Sequence, residues 1–322
     1  MKKIFGLLIA ILLLTGCDDG NMTFQTFNFT SNPVKCELTT NTYLSINPTT
    51  KEVLILTFPS TALLNRETND TDGNPIPQAI TLSNIEYRVY SGATPALGNI
   101  CTSVDNGTVN VTQRWTGSGS VTITTTKVPL TTESTDIRYV HSVTLNDVSF
   151  KKGDETIRVL DNFLGEINTS LGFMFDFTES ATSISTLNAC NDGRLYLTLG
   201  NKALLINLPA GTFTNETRTQ TYTTDDTHQA RMRVYDGTGI NSTVVCNGAL
   251  TPALEQEWST TTNSGSIIVE STESVDIPGR YIHKVYLQNN TRFYNITSNG
   301  EFFTPENNDA GRYYIGTYSP QN

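Results

Sequence analysis

The sequence predicts an all-β protein in which two tandem homologous antiparallel β-sandwich-like domains follow an N-terminal targeting segment. Only 16% of its 322 residues are charged, and it contains 13 Tyr and 14 Phe beside many Thr and Val. β-Branched and aromatic residues favour pleated sheet over helix. The body shows no sustained 3.6-residue periodicity, whereas a long internal repeat divides it into two copies.

The chain begins with a segment that has the features of an export signal. Lys2 and Lys3 precede an apolar run from Ile4 to Leu14. This run is too short to span a bilayer core of about 30 Å as a stable anchor. Residues 1–16 are therefore predicted to be a signal peptide that is removed on export.

The motif Leu14-Thr15-Gly16-Cys17 at the end of this segment resembles the lipobox of bacterial lipoproteins. The resemblance implies cleavage before Cys17 and lipidation of its sulfur and its new amine. Two or more acyl chains hold a protein stably on a membrane. Residues 17–24 are then a lipidated tether, and the membrane is a partner through the lipid. The alternative is an ordinary secretory signal with a chance cysteine.

Two acidic residues, Asp18 and Asp19, come directly after Cys17. In enterobacteria such an Asp resembles a signal for inner-membrane retention. Acidic residues at this place also resemble the surface-export signal of Bacteroidota lipoproteins, and the Phe-rich stretch that follows is similar to envelope lipoproteins of that phylum. The expected location is the bacterial cell envelope, with the outer membrane favoured and the side of the membrane left open.

A duplicated body is predicted by a segment that occurs twice in the same order. Thr131–Leu145 returns as Ser271–Leu287, with a two-residue insertion. Shorter matches precede it: Arg88-Val89-Tyr90 with Arg233-Val234-Tyr235, Trp115 with Trp258, and Ser118–Val121 with Ser264–Ile267. A period this long indicates tandem domains, because the units of a solenoid are far shorter. The predicted domains are residues 25–168 and 172–322.

Short patterned segments in each copy read as strands. Ser120–Thr126 alternates apolar residues with Thr, which is typical of a half-buried strand. Val53–Thr57 and Leu204–Leu208 are short, mostly apolar runs that suit more buried strands. Val148–Phe150 and Thr156–Val159 flank a Gly-containing turn and predict a hairpin.

The five cysteines separate into one for lipid and two pairs. After Cys17, each copy holds two cysteines at equivalent places. An exported protein with an even remainder is expected to form Cys36–Cys101 and Cys190–Cys246. A redox function is disfavoured because a Cys-x-x-Cys spacing is absent.

Two kinds of residue are retained in both copies and could signal either function or fold. His141 and His283 lie on the apolar face of their predicted strands, which favours hydrogen-bonded core positions over catalysis. Trp115 and Trp258 are candidate platforms for sugar rings, but retention in both copies favours the core. His228 has no counterpart, and we expect it to be solvated.

Composition and motifs exclude several classes of partner. The net charge of −10 argues against nucleic acid, because phosphate binding needs a basic face. The stretch Asn69–Asn74 has the oxygen density of a calcium loop but lacks a bidentate Glu at its far end, so a polar hairpin tip is favoured. We predict no metal site and no cofactor.

The expected function is a lipid-anchored envelope lipoprotein that acts as a non-enzymatic interaction or structural module. Neither a Gly-x-Ser-x-Gly elbow nor a His-Glu-x-x-His motif is present, so no catalytic residue is assigned. The module's partner would be a protein or a glycan. Two alternatives remain: a surface glycan-binding lipoprotein of a polysaccharide uptake system, and a hydrolase whose paired carboxylates converge from distant strands.

Overall fold

The described part of the molecule is almost entirely β-structure. The computed structural model describes residues 22–24, 28–29, 31–37, 39, 41–69, 74–92, 96–102, 109–131, 133–160, 162–177, 185–288, 290–297 and 300–320. All strand pairs are antiparallel except β1 with β9, and the predicted all-β class is confirmed. The predicted signal peptide, Cys17 and most of the tether lie outside these residues.

The chain divides into two compact units. The first unit comprises the described residues of Met1–Pro129 together with Arg138–Ser170. The second comprises Leu130–Ile137 and the described residues of Leu171–Asn322. The division near Ser170 lies between the predicted domains, whereas the transfer of Leu130–Ile137 to the second unit was not anticipated.

The first unit contains one sheet of ten strands. The strands are β1 (Met22–Phe24), β2 (Val34–Lys35), β3 (Thr42–Asn47), β4 (Glu52–Thr57), β5 (Gln78–Thr81), β6 (Asn84–Tyr90), β7 (Val111–Lys127), β8 (Arg138–Lys152), β9 (Glu155–Val159) and β10 (Asn162–Ser170). Their order is β1-β9-β8-β7-β6-β4-β3-β2, with β5 added to β7 and β10 added to β8. The two longest strands, β7 and β8, therefore pair with each other and with two further strands each.

Alternation along β8 explains which of its faces is buried. Tyr139, His141, Val143 and Leu145 are all buried, while the residues between them are partly exposed. Period-2 alternation of this kind places one face on the core. β8 and β9 form the predicted hairpin, whose turn contains Gly153 at φ 60°.

The second unit has two separate sheets. Its strands are β11 (Asn188–Ala189), β12 (Leu195–Leu199), β13 (Lys202–Asn207), β14 (Arg218–Thr223), β15 (Gln229–Tyr235), β16 (Leu254–Ser259), β17 (Ser266–Glu273), β18 (Tyr281–Gln288), β19 (Phe293–Asn295), β20 (Phe302–Phe303) and β21 (Arg312–Tyr318). The larger sheet has the order β11-β12-β13-β15-β16-β19-β20, and the smaller one the order β14-β17-β18-β21. Two sheets of alternating strands are the arrangement of a β-sandwich.

The core of the second unit is aromatic. The ring of Phe175 lies 4.9 Å from that of Tyr313 and 5.6 Å from that of Phe303, and Trp258 lies 5.3 Å from Phe303. Aromatic pairs at these separations stabilise a core beyond the area that they bury. The segment that enters the second unit is thus part of its core, as its apolar residues imply.

One short helix in each unit was not predicted. Helix α1 spans Leu97–Thr102, and helix α2 spans Ser242–Asn247. Asn241 caps α2, since its side-chain oxygen accepts from the backbone amides of Thr243 and Val244. Six residues are too few to show a helical periodicity, so neither helix could be predicted from the sequence.

Candidate functional site

Each helix is fixed to its sheet by a disulfide. Cys36 is bonded to Cys101 of α1, and Cys190 to Cys246 of α2, with Cα–Cα distances of 5.7 and 5.6 Å. These are the two pairs expected from the sequence. The apolar residues under the helices, Ile100 in α1 and Val245 in α2, are 2% and 0% exposed. The disulfides therefore hold small satellite cores in place and serve the fold.

The two tryptophans predicted as possible sugar platforms are buried. Trp115 is 5% exposed and Trp258 is 1% exposed. Their indole N–H groups donate to Gln113 and Gln256, two residues earlier in each chain segment, at 3.2 and 3.1 Å. Neither ring offers a face for stacking, so the core interpretation holds and the platform assignment is corrected.

His141 is a fully hydrogen-bonded core residue. Its Nδ1 lies 2.8 Å from the Thr125 hydroxyl, and its Nε2 lies 2.8 Å from the Thr169 hydroxyl. Because Thr169 donates to the Asn65 side chain, it accepts from Nε2–H, which fixes a neutral tautomer. Burial lowers the pKa of His141 to about 4. The residue is neutral at pH 7, and its predicted core position is confirmed.

His283 occupies the matching place in the second unit but is bonded differently. It is 0% exposed, and its Nδ1 lies 2.7 Å from the Ser271 hydroxyl. Its Nε2 has no hydrogen-bond partner among the described residues. Burial, assisted by the nearby Arg218 charge, lowers the pKa of its imidazole. The ring of Phe213 packs edge-on at 5.2 Å, so this histidine also belongs to the core.

The remaining polar candidates of the sequence lie in turns. His228 is not freely solvated as expected, because its Nδ1 lies 2.9 Å from Asp225 and its ring packs against Tyr222. In the segment resembling a calcium loop, Asn69 and Pro75 form an isolated antiparallel bridge, and residues 70–73 lie outside the described ranges. Among the described residues of these two segments, no groups are gathered for catalysis.

A different set of side chains comes together on the larger sheet of the second unit. The strand registers align one residue from each of six strands in a straight row. This row, which we call the outer row, consists of Tyr196, Leu205, Arg231, Ser259, Tyr294 and Phe302. Trp258, Phe293 and Phe303 alternate with members of the row and are buried, so the row lies on the face opposite the aromatic core.

One end of the outer row is aromatic and partly exposed. The rings of Tyr294 and Phe302 lie 5.4 Å apart, and the guanidinium of Arg292 lies 4.9 Å from the Phe302 ring centre. Arg292 itself is exposed. A cation over an aromatic ring is a favourable contact, and aromatic rings at a surface present apolar area with little loss of conformational entropy.

A pocket of about 160 Å³ opens beside the middle of the outer row. Its walls are formed by planar polar side chains around one apolar residue, namely Arg194, Leu205, Asn207, Asp226, Gln229 and Arg231. Arg231 belongs to both the pocket and the outer row, and its side chain is 45% exposed. Amide, carboxylate and guanidinium groups can each form two hydrogen bonds in one plane, so the pocket suits a ligand with several hydroxyl or carboxylate groups.

The positive charge on this face is only partly compensated. Arg231 and Arg233 share a single carboxylate, that of Glu257, at 3.5 and 3.3 Å. Arg194 is paired with Asp192 at 2.7 Å and also donates to the backbone carbonyl of Cys246. With the carboxylate of Asp226 in the pocket wall, the three arginines face three carboxylates. The excess positive charge of this face is that of Arg292 at the aromatic end of the row, which makes no ion pair among the described residues.

This face was not predicted from the sequence. Arg231, Tyr294 and Phe302 lie on three different strands, and only the pairing register brings them into one row. Each residue alone is an ordinary member of a strand. Alternation could have shown that they avoid the core face, but not that they are neighbours.

The described residues contain no cluster of three or more His, Cys, Asp or Glu that could hold a metal ion. Within the same residues, no helix is long and apolar enough to cross a membrane. Comparison with protein-family models, curated proteins and solved structures found no match to the chain.

Proposed function

We propose that this chain is a lipid-anchored lipoprotein of the bacterial cell envelope that acts as a non-enzymatic interaction or structural module. The observation that supports export best is the pair of disulfides, because disulfides persist in oxidising compartments and are rare in the cytosol. The lipobox ending at Cys17 supports the anchor. The outer membrane is the proposed location.

Substitution of the acylated cysteine tests the anchor. The wild-type chain and Cys17→Ser are expressed in a bacterium that processes lipoproteins, and membranes are washed with carbonate. The wild type is expected to stay with the membrane, because two or more acyl chains hold it there. Cys17→Ser is expected to lose this retention. Equal retention of both proteins would contradict a lipid anchor at this residue.

Protease treatment of intact cells tests the side of the membrane. If Asp18 and Asp19 act as a surface-export signal, the chain is cut on intact cells, with lysed cells as the control for susceptibility. Cutting only after lysis would place the body in the periplasm. Exchange of Asp18 and Asp19 for Ser should prevent cutting on intact cells if the two residues act as a surface-export signal. It should change nothing if the body lies in the periplasm.

A second candidate function is glycan binding at the cell surface. It no longer rests on Trp115 and Trp258, which are buried. The observation that favours it is the outer face of the second unit, where the partly exposed Tyr294–Phe302 pair lies on the same row as Arg231 of the polar pocket. Binding of a soluble polysaccharide by the purified chain tests it, as developed below.

A further inference from the structure

The first unit contains the same row with different residues. Strand registers there align Leu44, Ile55, Glu86, Thr116, Lys151 and Thr156. The strand order and the registers match Lys151 to Tyr294 and Thr156 to Phe302. The fold therefore accepts a charged and a small polar residue at these two positions, and it does not itself demand the aromatic pair of the second unit.

Other matched positions behave differently. Both units retain the Trp–Gln hydrogen bond, the buried His and the disulfide to the helix, and each of these has a clear role in the core. Residues that the fold needs are thus common to both units. The aromatic end of the outer row is particular to the second unit, so the requirements of the shared fold do not explain it.

The chemistry of the outer row defines its ligand. Arginine pairs with carboxylates through two parallel hydrogen bonds, and Arg231 and Arg292 are both exposed. Tyr294 and Phe302 offer apolar area to the face of a ring. Two strand spacings, about 10 Å, separate the backbone of Arg231 from that of Tyr294. A ligand with carboxylates, hydroxyls and ring faces along its length would meet all of these groups.

We propose that the outer face of the second unit binds an acidic saccharide, in which sugar carboxylates pair with Arg231 and Arg292 and a sugar ring packs on Tyr294 and Phe302. Hydroxyl groups enter the pocket lined by Asn207 and Gln229. This inference rests on the second candidate function and names the ligand class and the face.

Affinity electrophoresis tests the ligand class. The full chain, purified in mild detergent, is run in native gels that contain polygalacturonate, a linear polymer of carboxylated sugars, or dextran, a neutral polymer. We expect retardation by polygalacturonate that weakens with added salt, because the contacts are ionic. Unchanged mobility in the polygalacturonate gel would overturn the proposal. Equal retardation in both gels would overturn the role of the carboxylate.

A transplanted pair of residues tests the face. Tyr294→Lys with Phe302→Thr installs the residues that the first unit carries at the matched positions. We expect an apparent dissociation constant raised about tenfold or more, since aromatic and arginine residues commonly dominate binding. The control is Lys151→Ala with Thr156→Ala in the first unit, for which no change is expected. Retained binding by the transplant, or an equal loss in the control, would overturn the proposal.

Two further measurements separate causes of failure. The melting temperature of the transplant shows whether it has folded, and Arg231→Gln, which leaves the aromatic pair intact, should also lose retardation. Membrane retention is measured on the same variants and should be unaffected. If a variant loses its retardation in the polygalacturonate gel but stays with the membrane, the substitution has affected the saccharide site and not the anchor. If membrane retention does not depend on Cys17, the lipid anchor is overturned, and the proposal of a saccharide site is not affected.

Discussion

The two units show the same strand order with different strand continuity. In the first unit β7 passes from pairing with β6 to pairing with β5, and β8 passes from β10 to β9. In the second unit, β16 and β17 correspond to the first and second parts of β7, and β18 and β19 correspond to the first and second parts of β8. One ten-stranded sheet thus corresponds to a seven-stranded and a four-stranded sheet.

A glycine marks the transition in both units. Gly119 lies at the register shift within β7, and Gly265 lies at the end of the connection between β16 and β17. A Cβ at Gly119 would lie 2.8 Å from the Cα of Val148, and one at Gly265 would lie 2.6 Å from the Cα of Thr291. The close approach of two backbones is common to both units, while the continuous strand is not.

Removal of either disulfide is expected to have the largest effect. The loops closed by Cys36–Cys101 and Cys190–Cys246 span 65 and 56 residues, so each double Ser variant should lose about 4 kcal/mol of unfolding free energy in the chain-entropy model. Urea unfolding of the intact chain measures the loss, with Cys17→Ser as the control. Four free thiols in the untreated protein, or losses that differ greatly between the units, would break the comparison.

Substitution of the two close-approach glycines is next in size. Gly119→Ala and Gly265→Ala should each cost about 3 kcal/mol, because the new Cβ meets backbone atoms that cannot rotate away. Gly153→Ala is the matched control, since its Cβ would meet nothing within 4 Å. Thermal melting of the three variants checks this. If Ala is tolerated at one of Gly119 and Gly265 but not at the other, the close approach of the two backbones is not equivalent in the two units.

The buried histidines should make stability depend on pH. The pKa of His141 falls from 6.5 in the unfolded chain to about 4 in the folded one. The contribution of the neutral His141 imidazole to the free energy of unfolding is therefore complete above pH 6.5. It declines as the pH falls toward 4, and the loss is about 2 kcal/mol at pH 5. His141→Leu should remove this part of the pH dependence in urea unfolding. An unchanged pH profile in that variant would contradict a buried neutral imidazole.

The same measurement on His283 sharpens the comparison. The pKa of His283 is lowered in the same direction, but only one of its ring nitrogens is bonded. At pH 7, His283→Leu should therefore cost about 1 kcal/mol less than His141→Leu. The His141 substitution removes two hydrogen bonds, one with the Thr125 hydroxyl and one with the Thr169 hydroxyl, which keeps its bond to Asn65. Equal costs would indicate that the two sites are equally well bonded.

Exchange of a charge pair should have the smallest effect. Glu86 contacts Arg88 and Arg114 in the first unit, at 2.8 and 2.5 Å, whereas in the second unit Arg231 and Arg233 contact Glu257. Glu86 matches Arg231, and Arg114 matches Glu257, so the acidic and the basic residue of this ion pair have exchanged places between the two units. The double variant Glu86→Arg with Arg114→Glu should restore about 1 kcal/mol relative to the sum of its single variants. A double-mutant cycle with no coupling would contradict the equivalence of these positions.

Local patterns predicted the strands better than their partners. Alternation was enough to place His141 and His283 on a core face, and paired cysteines with an apolar leader were enough to expect two disulfides. The 17-residue length of β7 was not predictable, because Gly119 interrupts its alternation and only the partner strands show that pairing continues. The outer row depends on five inter-strand registers, none of which is encoded within a single segment.

The segment Leu130–Ile137 connects β7 to β8 of the first unit yet is packed in the second. Ile137 is 2% exposed, its amide donates to Phe173, and its carbonyl accepts from Leu171. During synthesis and export from the N-terminus, β8 is complete before the segment at Leu171–Phe173 is available. Ile137 can therefore become buried only after this later segment has emerged, and a truncation after Ser170 would leave its side chain exposed to aggregation.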